Sequence, residues 1–304
     1  MAAGVDTTRR RRRSPSLPCT VRVQAAGFAL GHRSNGSVRR LLFSLADIHV
    51  KAKRRRRPDG AGVRSVDVTI DASRGLWARV FSPSSTKREA TATAAQALPV
   101  VVFFHGGGFV LFSAASCYYD RLCRRFCREV GAVVVSVNYR LAPAHRFPAA
   151  YDDGLAALRY LDVSGLPEAA DLGVAVDLSN CFLAGDSAGG NMVHHVAQRW
   201  AASTSSSSLR LAGAVLIQPL FGGEDVELAE AFPPAMVVIG GFDLLKGWQA
   251  RYAETLRGKG KPVRVVEYPG AIHGFFLFRE LADSGKLVEE MKLFVQEHRT
   301  KRVH

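Results

Sequence analysis

Three side chains far apart in this 304-residue chain have the chemistry to break an acyl bond together: Ser187, Asp243 and His273. A serine hydroxyl is a poor nucleophile near neutral pH. It needs an imidazole to take its proton and a carboxylate to hold that imidazole in the right tautomer. Ser187 lies in Gly185-Asp186-Ser187-Ala188-Gly189, whose flanking glycines suit the sharp strand-to-helix turn that presents a nucleophile. The run His105-Gly106-Gly107-Gly108 begins 80 residues before that pentapeptide. Its bare backbone N–H groups can receive the negative charge that grows on an attacked carbonyl oxygen.

The base is chosen among the histidines that follow Ser187. His194 and His195 lie on the helix leaving the turn, and His298 and His304 fall in the polar C-terminal tail. His273 stands in a loop after Val263–Tyr268 and the turn Pro269-Gly270, and Asp243 directly follows the apolar run Ala235–Gly240. Plainer readings compete: an aspartate after a strand often only caps a helix, and a loop histidine is often a surface group. Asp186 reads as structural rather than as a second acid.

The elements that must position these groups are legible in the flanking residues. Pro99–Phe104 is a run of β-branched and aromatic residues ending at His105, as a buried parallel strand ends at a catalytic sheet edge. Asn180–Ala184 is a second such run. Residues 188–202 carry Met192, Val193, Val196 and Trp200 at helical spacing, so strand, turn and helix follow in the required order. Residues 66–70 and 77–82 read as antiparallel strands at the start of the sheet. Amphipathic stretches at 119–130, 149–162, 188–202, 245–258 and 286–299 predict helices on both faces of a mainly parallel sheet, an α/β fold. A hydrophobic content of 47% suits one large domain over residues 65–304, preceded by a basic, partly disordered arm over 1–64.

The net charge of +14 resembles a nucleic-acid signature until it is located. Residues 1–64 hold 16 Lys and Arg against 3 Asp, a net of +13, which leaves +1 for the rest of the chain. The body is therefore not expected to bind nucleic acid specifically. The runs Arg9–Arg13 and Lys51–Arg57 read first as solvated tails, with nuclear import, anionic lipid and nonspecific polyanions as alternatives. There is no secretory-type apolar segment and no apolar run long enough for a membrane span. Five cysteines (19, 117, 123, 127 and 181) with no paired framework suggest reduced thiols and a cytoplasmic location, with the nucleus as a further compartment. Cys123 and Cys127 mimic a metal pair, but no second cluster completes four ligands, so no metal site is expected.

Together, His105-Gly-Gly-Gly-Phe109, Asn138-Tyr-Arg-Leu-Ala-Pro143, Phe147-Pro148-Ala149, Tyr151-Asp-Asp-Gly154, Gly185-Asp-Ser-Ala-Gly-Gly-Asn191, Gly241-Phe-Asp243 and the His273 loop resemble the hormone-sensitive-lipase-like branch of α/β-hydrolases. More narrowly, the chain resembles plant carboxylesterases related to the gibberellin receptor. The resemblance implies an α/β-hydrolase fold with Ser187 as nucleophile, His273 as base and Asp243 as its acid, in the chain order usual for the fold. It implies an oxyanion hole at Gly106, Gly107, Gly108 and Ala188, in which Gly106 shapes the loop and the other three donate. No metal or organic cofactor is implied. The partner is a small-molecule ester, and the oligomeric state is left open. The receptors of this group are the alternative, a non-catalytic binder of a hormone-like small molecule, and they have an apolar residue at the histidine position.

Two departures from the family stand out. Ser187 and Asp243 are only 56 residues apart, and the acidic connector Pro219–Pro234 replaces a longer insertion that carries cap helices in relatives. A reduced cap is expected to expose Phe109, Phe112 and Tyr118 and to weaken hydrolysis and its selectivity. In Leu141-Ala-Pro-Ala-His145, Ala144 stands where relatives commonly have glutamate, with a structural contact expected to be lost; His145 and Arg146 read as structural.

Overall fold

Alternation along the strands divides the apolar side chains between two cores. In the computed structural model, Val100, Val102 and Phe104 face one core, while Val101 and Phe103 face the other, and all five are fully buried. A strand buried on both faces must be apolar throughout, and each such side chain contributes about 1.5–3 kcal/mol. The structure describes residues 47–53, 62–83, 97–167, 174–203, 207–222 and 228–300, with 18, 19, 22, 43 and 169 as isolated positions.

Among the described residues, eight strands form a single sheet: β1 (Val63–Asp71), β2 (Leu76–Pro83), β3 (Leu98–Phe104), β4 (Val133–Asn138), β5 (Val176–Asp186), β6 (Leu211–Ile217), β7 (Ala235–Phe242) and β8 (Val263–Ile272). Their spatial order is β1-β2-β4-β3-β5-β6-β7-β8. Strands β1 and β2 pair antiparallel, β2 pairs antiparallel with β4, and every later pair is parallel. The helices are α1 (Cys117–Phe126), α2 (Ala149–Ser164), α3 (Ala188–Ser203), α4 (Lys246–Gly258) and α5 (Ala282–His298). Leu158, Met192, Val196, Trp200 and Leu256 bring α2, α3 and α4 onto one face. Leu122, Phe126, Leu287, Met291 and Phe294 bring α1 and α5 onto the other. The antiparallel opening, the mainly parallel sheet and the helices on both faces follow the sequence reading.

Strand β1 begins at Val63, and the residues before it already pack on the body. Ile48 O accepts the Cys117 N–H at 2.8 Å, and Lys53 O accepts the Ser65 N–H at 2.8 Å. The buried Arg79 guanidinium ties this segment down through Val50 O, Asp67 and Asp120. The run Arg9–Arg13, residues 54–57 of the second basic run, and nearly all of the 17–45 arm lie outside the described residues.

Both ends of the shortened connector are anchored. Phe221 stacks on Tyr252 of α4 at 4.1 Å between ring centroids, and Phe221 and Phe232 both pack on His194 of α3. Residues 223–227 lie outside the described residues. The expected exposure of Phe109, Phe112 and Tyr118 is corrected: all three are half-buried, because Phe109 packs on Tyr151 and Phe112 on Tyr119. The barest apolar groups among the described residues are instead Leu244, fully exposed beside Asp243, Val163 at 87% and Phe147 at 77%. Ala144, His145 and Arg146 are exposed, so the Ala144 position sits at the surface rather than at a buried contact.

Candidate active site

The carboxyl ends of five adjacent parallel strands, β3, β5, β6, β7 and β8, build the site. Ser187 follows β5 directly and opens onto α3. Its φ of +51° lies in the left-handed region that a residue with a side chain seldom adopts, which is the strain expected of a sharp nucleophile turn. Its N–H donates to Ile217 O at 3.0 Å, and its carbonyl accepts from Leu220 N–H at 2.9 Å. The turn needs close packing as well. A Cβ on Gly189 would stand 2.0 Å from Phe104 O, so only glycine lets the helix start this near β3.

Asp243 follows β7 and is 7% exposed. Its Oδ2 faces the His273 Nδ1 at 2.8 Å and also accepts from Gln249 Nε2 at 2.9 Å; its Oδ1 accepts the Leu245 N–H at 2.8 Å. Burial raises the Asp243 pKa, but the bonds from His273, Gln249 and Leu245 outweigh it and hold the carboxyl below its ordinary value. His273 follows β8, and its side chain is 41% exposed, so the ring remains open on one side. Among the described residues no hydrogen bond joins Ser187 to His273; such contacts often tighten only when substrate binds.

The glycine loop rests on a buried polar cluster. The Gly106 N–H donates to Tyr119 Oη and to Asp186 Oδ1, each at 2.9 Å, and Tyr119 Oη–H donates to Asp186 Oδ2 at 3.0 Å. That N–H is therefore occupied, which suits Gly106 to shaping the loop. Gly107 and Gly108 have φ of +109° and +62° and donate no backbone hydrogen bond among the described residues. Phe109 and Phe112 are also left-handed, so strain is concentrated in this loop. Ala188 opens α3 next to Ser187, where the N–H groups of a helix start lack partners within the helix.

Burial pushes the Asp186 carboxyl up to about 7, against the opposing pull of the Tyr119 hydrogen bond, the His273 charge and the Gly106 N–H. His105 lies beneath the loop, stacked on Tyr139 at 4.3 Å, and burial lowers it to about 4, so it is a neutral structural ring. His194 on α3, lowered to about 3 by burial, faces Tyr252 Oη of α4 at 3.1 Å. The sequence reading missed Tyr119, Gln218 and Gln249, because no local motif marks residues whose partners are distant in the chain. Cys117, Cys123, Cys127 and Cys181 are buried free thiols, and burial raises the pKa of each. No group of metal-binding side chains and no helix long and apolar enough to cross a membrane occurs among the described residues.

Comparison with known proteins agrees with this fold. A family model described as the α/β hydrolase fold matches residues 101–231 and 218–277, and its two pieces overlap on the shortened connector. A gibberellin receptor of Arabidopsis thaliana is 33% identical over 92% of this chain and 94% of its own length. That alignment runs over 336 positions, more than the chain contains, so the receptor carries residues that this chain lacks. Carboxylesterase 20 of Arabidopsis thaliana is 41% identical over 53% of this chain and 48% of its own length. Among solved structures, an esterase of the archaeon Pyrobaculum calidifontis superimposes with a TM-score of 0.61 at 29% identity, covering 77% of this chain and 85% of the esterase. The chain belongs to the α/β-hydrolase fold family, on the branch that holds plant carboxylesterases and gibberellin receptors.

Proposed function

We propose that this protein hydrolyses small or medium carboxylic esters through an acyl-serine intermediate, without a metal or organic cofactor. The observation that carries the reading is the 2.8 Å pairing of His273 Nδ1 with the buried Asp243 carboxylate, which leaves the other ring nitrogen free to serve Ser187. Ser187 Oγ attacks the ester carbonyl while His273 takes its proton. The N–H groups of Gly107, Gly108 and Ala188 bind the tetrahedral oxyanion. His273 then returns the proton to the leaving alcohol, and water releases the acid by the same steps in reverse. Each donor of such a hole is worth about 2.7–4 kcal/mol of transition-state stabilisation.

A non-catalytic small-molecule binder is the rival reading, favoured by the gibberellin receptor's similarity over nearly its whole length. The paired and partly open imidazole supports hydrolysis over it. Burst release of p-nitrophenol from a short-chain ester, together with fluorophosphonate labelling lost in Ser187→Ala, tests the choice. A folded protein that neither turns over nor labels at Ser187 sinks the hydrolytic reading. The basic runs are read as solvated tails, and cytoplasmic and nuclear location are part of this proposal.

A further inference from the structure

We infer that Gln218 is a positioning residue that holds His273 in reach of both Asp243 and Ser187, an inference that rests on the hydrolytic reading of those three groups. Gln218 directly follows β6 and is fully buried. One amide group grips the histidine loop on both sides of the ring. Its Oε1 accepts the Gly274 N–H at 2.8 Å, and its Nε2 donates to Ile272 O at 3.1 Å. The two partners fix which end of the amide is oxygen, since one is a donor and the other an acceptor.

The backbone of Gln218 is equally committed. Its φ is +45°, a conformation that a residue with a side chain takes up at a cost, and its N–H donates to Val238 O at 3.0 Å in β7. The preceding carbonyl, Ile217 O, is the acceptor for the Ser187 N–H. Neighbouring residues of one strand end therefore hold the nucleophile's backbone and the base's loop. Space for the amide comes from β7: a Cβ on Gly240 would lie 2.2 Å from Gln218 Nε2, and the Gly240 carbonyl accepts the Asp243 N–H at 3.2 Å. The strand ends that carry Asp243 and His273 thus meet at this side chain, and the one that carries Ser187 meets the carbonyl just before it. A loop without regular structure would otherwise place the imidazole loosely, and a misplacement near 1 Å is enough to cost about 100-fold in rate.

Two substitutions of the full chain test this. Gln218→Met keeps length and volume without the amide, and Gln218→Asn keeps the amide one methylene short. In either folded variant kcat falls roughly 10- to 100-fold while KM stays within about twofold, the pattern of a lost transition-state alignment. The low-field Nδ1 proton resonance of His273, identified by its loss in His273→Gln, broadens or disappears in both. If Gln218→Met prevents folding, Gln218→Asn carries both readings. Folded variants with wild-type kcat and an unchanged resonance overturn the inference, as does a wild-type protein with no such resonance. If the wild type neither labels nor turns over, hydrolysis fails as a function, and the resonance alone still decides whether Gln218 holds the His273–Asp243 pair.

Discussion

His273 Nδ1 and Asp243 Oδ2 stand 2.8 Å apart although 30 residues separate them in the chain, and the carboxylate is shielded from water while the ring is partly open. That asymmetry suits a relay in which one partner orients and the other moves protons. Asp243→Asn keeps the shape of the pair but favours the wrong imidazole tautomer. The expected loss in kcat is about 10⁴-fold with little change in KM, measured by steady-state hydrolysis of a p-nitrophenyl ester. A loss below about tenfold would place the orienting carboxylate elsewhere.

The glycine loop gives a second test. Gly107 sits at a φ of +109°, and a Cβ there would meet Leu111 O at 2.5 Å. Gly107→Ala is therefore expected to shift the loop and lower kcat by about 10²–10³-fold, as loss of one oxyanion donor does. Fluorophosphonate labelling should slow in parallel, because the phosphonyl oxygen uses the same donors. Normal labelling with a folded loop would remove Gly107 from the hole.

Asp186 makes stability depend on pH in an unusual direction. Burial raises its pKa from 3.8 to about 7, so between these values the folded protein keeps a proton that the unfolded chain has released. The favourable contribution is complete below about pH 4, shrinks as pH rises, and is gone above about pH 7; its span is on the order of 4 kcal/mol at about 1.4 kcal/mol per unit. Asp186→Asn cannot titrate. Urea unfolding at stepped pH should show the wild type losing stability relative to Asp186→Asn across that window. Parallel curves for the two proteins would refute the buried protonated carboxyl.

Arg79 carries a structural prediction. Its buried guanidinium bonds Asp67, Asp120 and Val50 O, and Asp120 is itself buried. Arg79→Ala leaves the Val50 carbonyl without this donor and Asp120 with Arg124 alone, and should cost about 1–3 kcal/mol in urea unfolding. A cost below about 1 kcal/mol would mean that Arg124 and water suffice for these acceptors.

The short connector bears on selectivity. With Leu244 fully exposed beside Asp243, little apolar wall among the described residues encloses an acyl chain on that side of the site. The ratio of kcat/KM between acetyl and octanoyl esters is expected to stay within about tenfold, because a methylene discriminates only where a pocket encloses it. A preference above about 100-fold would demand a closed acyl pocket.

Much of this protein was legible along the chain because its information is local. The short apolar runs, the helical spacing after Ser187 and the two glycine motifs outlined the element order and nominated Ser187, Asp243 and His273. Each depends on residues a few positions apart, which is the range over which backbone geometry repeats. Tertiary structure alone decided how those groups are held. Gln218, Gln249 and Tyr119 make their decisive contacts with Gly274, Asp243 and Asp186, and in their own stretches of sequence they are unremarked polar or aromatic residues. Likewise the folded loop, not the missing segment, decided that Phe109 and Phe112 find aromatic neighbours while Leu244 does not. Hydrogen bonding and burial between distant strand ends are properties of the assembled sheet, and no pattern within one strand encodes them.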